Sequence, residues 1–184
     1  MQKHEVVAPR DELTGLWRLA VPVGDGRAVR VVATLVAPWL ADLPADTVLL
    51  GFDVDDFHGF NRAFGHPAGD ALLAELGARL RAAADPWPAF RWGPALFVVA
   101  VRLPDEDAIR AQLVAIRSEL ERPMADGRCV TVSVGAARAW ANADIDHLLV
   151  ALDEALYPAK CFRNGWMLVT DGPTGMRHTH RLPG

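Results

Sequence analysis

The stretch Phe52-Asp53-Val54-Asp55-Asp56-Phe57-His58-Gly59-Phe60-Asn61-Arg62-Ala63-Phe64-Gly65-His66-Pro67-Ala68-Gly69-Asp70 decides how this chain folds. It continues an apolar run over 47–54, the pattern of a strand buried on both faces, and sets Asp53 and Asp55 at that strand's carboxyl end. Residues 56–64 read as a short helix and Gly65-His66-Pro67-Ala68-Gly69 as a loop. Beyond it Leu72, Leu73, Leu76 and Leu80 recur at helical spacing, with Asp70 where an N-cap belongs. A buried strand feeding helices, with carboxylates at the junction, is the start of an α/β domain.

Downstream, Pro86-Trp87-Pro88 breaks the chain, and 90–92 and 95–101 read as two strands around Gly93-Pro94. Ile109, Leu113, Ile116 and Leu120 mark a long helix. The acidic Asp105-Glu106-Asp107 at its start suits the helix dipole. Val130, Val132 and Val134 alternate as a half-buried strand, Leu148, Leu149, Leu152 and Leu156 give a third long helix, and 166–169 a last short strand. Upstream, Asp11-Glu12-Leu13-Thr14-Gly15-Leu16 reads as a turn into the domain and Asp25-Gly26 as another turn. The apolar 27–43 reads as a helix interrupted near Pro38. The order predicts an α+β sandwich, helices against a mostly antiparallel sheet, as one domain over 1–170. The Gly-, Pro- and His-rich residues 171–184 are expected to be a flexible tail.

With 184 residues, half of them apolar, the chain is long enough to bury a sizeable core. A net charge of −4 gives no basic surface for nucleic acid. No apolar run approaches the roughly 18 residues of a membrane span. The polar start Met1-Gln2-Lys3-His4-Glu5 is not a signal peptide, and two distant cysteines, Cys129 and Cys161, suit a reduced compartment. Cytoplasmic residence is the expectation. Nucleophile-elbow, Walker and zinc-protease motifs are absent from the sequence.

Five segments, in order, resemble the GGDEF domain of diguanylate cyclases, which condense two GTP into cyclic di-GMP. The long stretch above is one. Asp11-Glu12-Leu13-Thr14-Gly15-Leu16 is similar to the family's Asp-x-Leu-Thr-Gly-Leu, and Thr131-Val132-Ser133-Val134-Gly135 to its Thr-x-Ser-x-Gly. Asp153-Glu154-Ala155-Leu156-Tyr157-Pro158-Ala159-Lys160 resembles its Ala-Asp-x-Ala-Leu-Tyr-x-Ala-Lys, with Leu152 for the first Ala. Arg91-Trp92-Gly93-Pro94-Ala95-Leu96-Phe97 stands for the signature Arg-x-Gly-Gly-Asp/Glu-Glu-Phe, with both acids gone. The resemblance runs from about Asp11 to Asn164 and implies the palm-like fold of nucleotide cyclase domains.

The resemblance also implies roles. Asp53 takes the place of the first metal ligand, yet its partner should come from the hairpin, where Ala95 and Leu96 offer no lone pairs. Each such ligand supports several kcal/mol of transition-state stabilisation, so a loss of about a thousandfold or more is expected. Pro94 further removes a backbone N–H from the degenerate hairpin Gly93, Pro94, Ala95, Leu96, Phe97. Asn61 and Asp70 match positions that hydrogen-bond the guanine edge, and Lys160 a lysine near the phosphates. His58 replaces a phosphate-binding lysine. The inhibitory Arg-x-x-Asp site is expected to be missing, since Ala84 and Trp87 occupy its positions.

The expected function is therefore a catalytically inactive regulatory domain in cyclic di-GMP-related signalling. It would act through a guanine nucleotide or a signalling protein, with no cofactor required and Mg²⁺ only alongside bound nucleotide. The alternative is an active cyclase, or another nucleotidyltransferase, whose acidic cluster Asp53, Asp55 and Asp56 holds metal alone. Cyclases of the family work as two facing domains, which keeps a homodimer among the expected assemblies.

Overall fold

The structure is a computed structural model that describes residues 10–18, 21–22, 28–29, 46–140, 145–162, 166–170 and 177–181. Nine strands and four helices follow in chain order among them. They are β1 (Trp17–Arg18), β2 (Val21–Pro22), β3 (Ala28–Val29), β4 (Thr47–Val54), α1 (Phe57–Phe64), α2 (His66–Ala84), β5 (Ala89–Arg91), β6 (Leu96–Arg102), α3 (Glu106–Leu120), β7 (Val132–Arg138), α4 (Ile145–Phe162), β8 (Trp166–Thr170) and β9 (Arg177–Arg181). Seven strands form one sheet in the order β1-β5-β6-β4-β7-β8-β9, antiparallel except at β1–β5 and β7–β8. The expected mostly antiparallel α+β sandwich is the observed fold.

β4 runs through the middle with period 2. Val48, Leu50, Phe52 and Val54 face a core shared with Leu72, Leu76 and Leu80 of α2 and with Ile109, Leu113 and Ile116 of α3. Leu49 faces the opposite layer, built with Val98, Leu148, Leu149, Leu152 and Leu156. β7 is also buried on both faces, against the half-buried expectation, because α4 covers the side that alternation alone leaves open.

α4 approaches the sheet over two glycines that are direct register partners, Gly51 of β4 and Gly135 of β7. A Cβ on Gly51 would come within 3.1 Å of Leu152 and Leu156 methyls, and one on Gly135 within 3.2 Å of Ala155 and the Leu156 nitrogen. On the far face, Arg79 of α2 donates to Glu75 and to the carbonyls of Glu119, Leu120, Arg122 and Pro123, tying α2 to the carboxyl end of α3.

Four further sequence expectations are corrected. The 65–69 loop is mostly helix: Gly65, at φ 84°, stops α1, and α2 begins at His66 with Pro67 in its first turn, where a missing N–H costs nothing. Asp70 therefore lies inside α2 and does not cap it. Ala28 and Val29, expected in a helix, form β3 against β2, so strand pairing overrides their propensity, and the rest of 27–43 and the Asp25-Gly26 turn lie outside the described residues. The expected flexible tail contributes β9, paired with β8 over five residues. No alternation or apolar run in Arg177-His178-Thr179-His180-Arg181 announces that strand; the ladder to β8 creates it.

Gly135→Ala is expected to lower stability by about 1–3 kcal/mol in urea unfolding, because the new methyl meets backbone. Gly51→Ala should cost less, since it meets leucine methyls that can turn aside.

Candidate functional site

The register over the Gly51–Gly135 pair positions one charged contact. On β4, Leu49, Gly51 and Asp53 succeed one another on the α4 face. On α4, Leu152, Leu156 and Lys160 succeed one another at four-residue steps. With the leucines on Gly51, Lys160 arrives over Asp53, and its Nζ lies 3.0 Å from Asp53 Oδ2. Burial raises the Asp53 carboxyl above its ordinary range and the charges of Asp55 and Asp153 add to this, while the Lys160 hydrogen bond and charge pull it back down.

The other two acids of the stretch are engaged elsewhere. Asp55 accepts hydrogen bonds from Thr131 Oγ1 and Ser133 Oγ, each at 2.6 Å, which pins the end of β4 to β7. Asp56 adopts a left-handed conformation at φ 50° and caps α1 by accepting from the Gly59 N–H at 3.2 Å. Across from Asp53 on its two neighbouring strands stand Leu96 and Ser133. Ala95 is buried with the α2–α3 core, and Leu96 packs with the α4 layer. Among the described residues no three His, Cys, Asp or Glu side chains converge to hold a metal ion. Asp53 is the carboxylate that would hold a Mg²⁺ ion here, with phosphate and water oxygens completing its octahedral shell.

Asn61 and Asp70 are brought together. Helices α1 and α2 fold back so that Asn61 packs onto Gly69, where a Cβ would fall 1.8 Å from Asn61 Oδ1. Among the described residues that oxygen is buried without a hydrogen-bond partner, a state that costs about 1–3 kcal/mol. Asp70 follows Gly69 directly and is exposed, as are His58 on α1 and Lys160 on α4. His66 is exposed at the start of α2.

The hairpin between β5 and β6 closes despite its altered residues. Trp92 N–H donates to the Leu96 carbonyl at 2.8 Å and Val54 N–H to the Ala95 carbonyl at 3.1 Å. Arg91 reaches back to the carbonyls of Gly93 (3.1 Å) and Pro94 (2.8 Å), and its third contact is Asp11 Oδ1 at 2.9 Å. Asp11 also accepts from the Thr14 N–H and hydroxyl at 2.9 Å each, and from Arg18 Nε at 3.2 Å. Its side chain is 7% exposed.

The model of the family "Diguanylate cyclase, GGDEF domain" matches residues 37–165. The chain belongs to the GGDEF domain family. Diguanylate cyclase DgcM of Escherichia coli (strain K12) is 34% identical over 117 residues, 62% of this chain and 28% of that protein. Uncharacterized protein YhcK of Bacillus subtilis (strain 168) is 37% identical over 121 residues, 61% of this chain and 33% of that protein. The chain thus spans about a third or less of these two relatives. Two solved structures share the fold. The diguanylate cyclase SiaD of Pseudomonas aeruginosa, in complex with its activator SiaC, has TM-score 0.71 at 22% identity, covering 83% of this chain and 58% of that one. The coiled coil and GGDEF domain of DgcB from Caulobacter crescentus, in complex with c-di-GMP, has TM-score 0.68 at 24% identity, covering 83% and 81%.

Within this GGDEF domain, sequence reading missed Asp11 as a buried hub, Gly69 as the seat of Asn61, and Thr131 and Ser133 as holders of Asp55. For Asp11 the signal was available: a carboxylate three residues before a threonine is a local Asx pattern. Its 80-residue reach to Arg91 had none. A cleft of about 260 Å³ lined by Arg10, Trp17, Arg81 and Trp87 lies beside that turn. No helix among the described residues is long and apolar enough to cross a membrane.

Burial raises the Asp11 carboxyl, but the Thr14 hydrogen bonds and the Arg91 guanidinium outweigh it and hold the pKa at about 2, below the ordinary 3.8. A depressed carboxylate stabilises the fold above its unfolded pKa. About 2 kcal/mol is therefore present above pH 4 and lost as the pH falls through about 2. Asp11→Asn should remove that acid sensitivity and cost about 3 kcal/mol at neutral pH, since Arg91 loses its charge partner. Urea unfolding of both proteins between pH 2 and 7 checks this.

Proposed function

We propose that this GGDEF domain binds a guanine nucleotide without converting it to cyclic di-GMP, and acts as a regulatory module in cyclic di-GMP-related signalling. One observation carries the reading: Asp53 faces Leu96 and Ser133 on its neighbouring strands, while Ala95 is buried in the core. A second carboxylate for a metal pair is missing from the place the family signature gives it. The base-reading side of the proposal is supported by Asn61, whose buried acceptor has no partner among the described residues and lies beside Asp70, a pair suited to the N1 and N2 donors of guanine. His58 and Lys160 supply the polar groups for phosphate. Among the similar proteins, the DgcB structure contains c-di-GMP and SiaD is held by an activator protein, which supports ligand or protein control as the role of such a domain.

Calorimetry with GTP, GDP and cyclic di-GMP, combined with an assay for product, tests the proposal. Binding of a guanine nucleotide without turnover is the expected result. Turnover abolished by Asp53→Asn would establish the alternative of an active nucleotidyltransferase. Absence of any guanine-nucleotide binding would shift the role to protein contact.

Gly69→Ala gives a sharper prediction. The added methyl displaces the Asn61 amide and presses Phe57 Cζ at 3.2 Å, while helix propensity improves by up to about 1 kcal/mol. Guanine-nucleotide affinity should drop about tenfold or more while thermal stability changes little.

A further inference from the structure

We propose that the cleft between Arg10, Trp17, Arg81 and Trp87 binds a small aromatic carboxylate, a ligand separate from the guanine nucleotide assigned to Asn61 and Asp70.

Two turns build the cleft. Asp11 holds the first by accepting from Thr14, and Gly15 completes it at φ 67°, so the chain reverses and Arg10 bridges back to Trp17. Trp17 then pairs with Phe90 at the edge of the sheet. The second turn follows α2, where the Trp87 N–H donates to the Ala84 carbonyl at 2.7 Å and Pro86 and Pro88 flank the indole. The space enclosed is about 260 Å³. Drug-sized pockets run from about 300 to 1,000 Å³, so this one suits a single or fused ring and is too small for a cyclic dinucleotide. Cyclic di-GMP also finds no Arg-x-x-Asp here, since those positions are Ala84, buried in the core, and Trp87.

Two observations set the ligand's chemistry. The first is unmatched charge. Arg10 Nη1 donates to the Gly15 carbonyl at 2.8 Å, and Arg81 Nη1 lies 2.9 Å from where a Cβ on Gly15 would stand. Two guanidinium groups thus close on one residue. Among the described residues neither has a carboxylate partner, whereas Arg18 and Arg91 share Asp11 and Arg79 holds Glu75. Glu12 and Asp85, the acids nearest along the chain, are exposed and pair with neither. Gathered cations repel, and an anion between them relieves the repulsion. A carboxylate matches the guanidinium fork in shape as well as charge.

The second is the wall. Trp17 and Trp87 are half-buried, and the Arg10 guanidinium lies 3.9 Å from the Trp17 ring centroid, which holds its charge against that wall. A planar ring gains area and stacking between such indoles. An inorganic anion would leave the indoles unused, and a neutral ring would leave the arginines unmatched.

The test uses the full chain with 2-naphthoate as the probe. Calorimetry and quenching of tryptophan fluorescence should show one probe bound per chain at micromolar to low-millimolar affinity. Neutral 2-naphthamide and inorganic phosphate should each bind at least about tenfold more weakly. Arg81→Gln, at an exposed helix position, should weaken naphthoate about tenfold and remove its preference over naphthamide, with the melting temperature and the GTP titration unchanged. Arg10→Gln should act in the same direction. Failure of naphthoate to bind, equal affinity for naphthamide, or naphthoate binding that survives both substitutions would overturn the proposal. Displacement of the probe by cyclic di-GMP would overturn the ligand class. Loss of guanine-nucleotide binding in Gly69→Ala should leave naphthoate affinity as it is, so the two sites stand or fall separately.

Discussion

At the Gly51–Gly135 pair the sheet carries no side chains, and the position of α4 follows from that gap. Packed interiors tolerate few voids, so a helix descends where two facing residues lack Cβ atoms. Leu152 and Leu156 fill the space, and every later residue of α4 inherits its height and rotation from them. The contact between Lys160 and Asp53 is thus set by apolar packing a turn away, which is why a surface lysine meets a half-buried carboxylate in register.

The two faces of the sheet divide the labour. The α2–α3 face holds the larger core and, at its edge, the helical turn that seats Asn61 on Gly69 beside Asp70. The α4 face carries the Lys160–Asp53 pair. Between them the β5–β6 hairpin keeps its shape by Arg91, which gathers two hairpin carbonyls and Asp11. The altered hairpin residues therefore left the scaffold intact, because its closure depends on backbone groups and on Arg91. What changed is the chemistry available beside Asp53.

The sequence made the long elements legible because their periodicity reports burial directly: the 47–54 run and the leucine rows of α2 and α4 lie where they are expected. Family motifs located Asn61, Asp70 and Lys160, but not their mutual geometry. Asp70 was misread as a cap because Pro67 looks like a breaker, whereas it is welcome in a first helical turn. β9 was invisible because a five-residue polar strand owes its existence to a neighbour. The roles of Gly69, Gly135 and Asp11 were invisible for a related reason. Each depends on what lies across the fold, and a glycine or an aspartate carries no record of its distant partner.

Arg79 makes helices α2 and α3 a single mechanical unit. Its guanidinium holds the carbonyls at the carboxyl end of α3, so that end cannot fray without releasing α2. α4 lies on the other side of the sheet, where Leu152 and Leu156 pack over Gly51. Amide exchange is therefore expected to report the α2–α3 block, beside Asn61 and Asp70, apart from the α4 block that carries Lys160. A molecule that touches all three residues spans both blocks and slows exchange in each, so its binding registers on the two faces of the sheet at once.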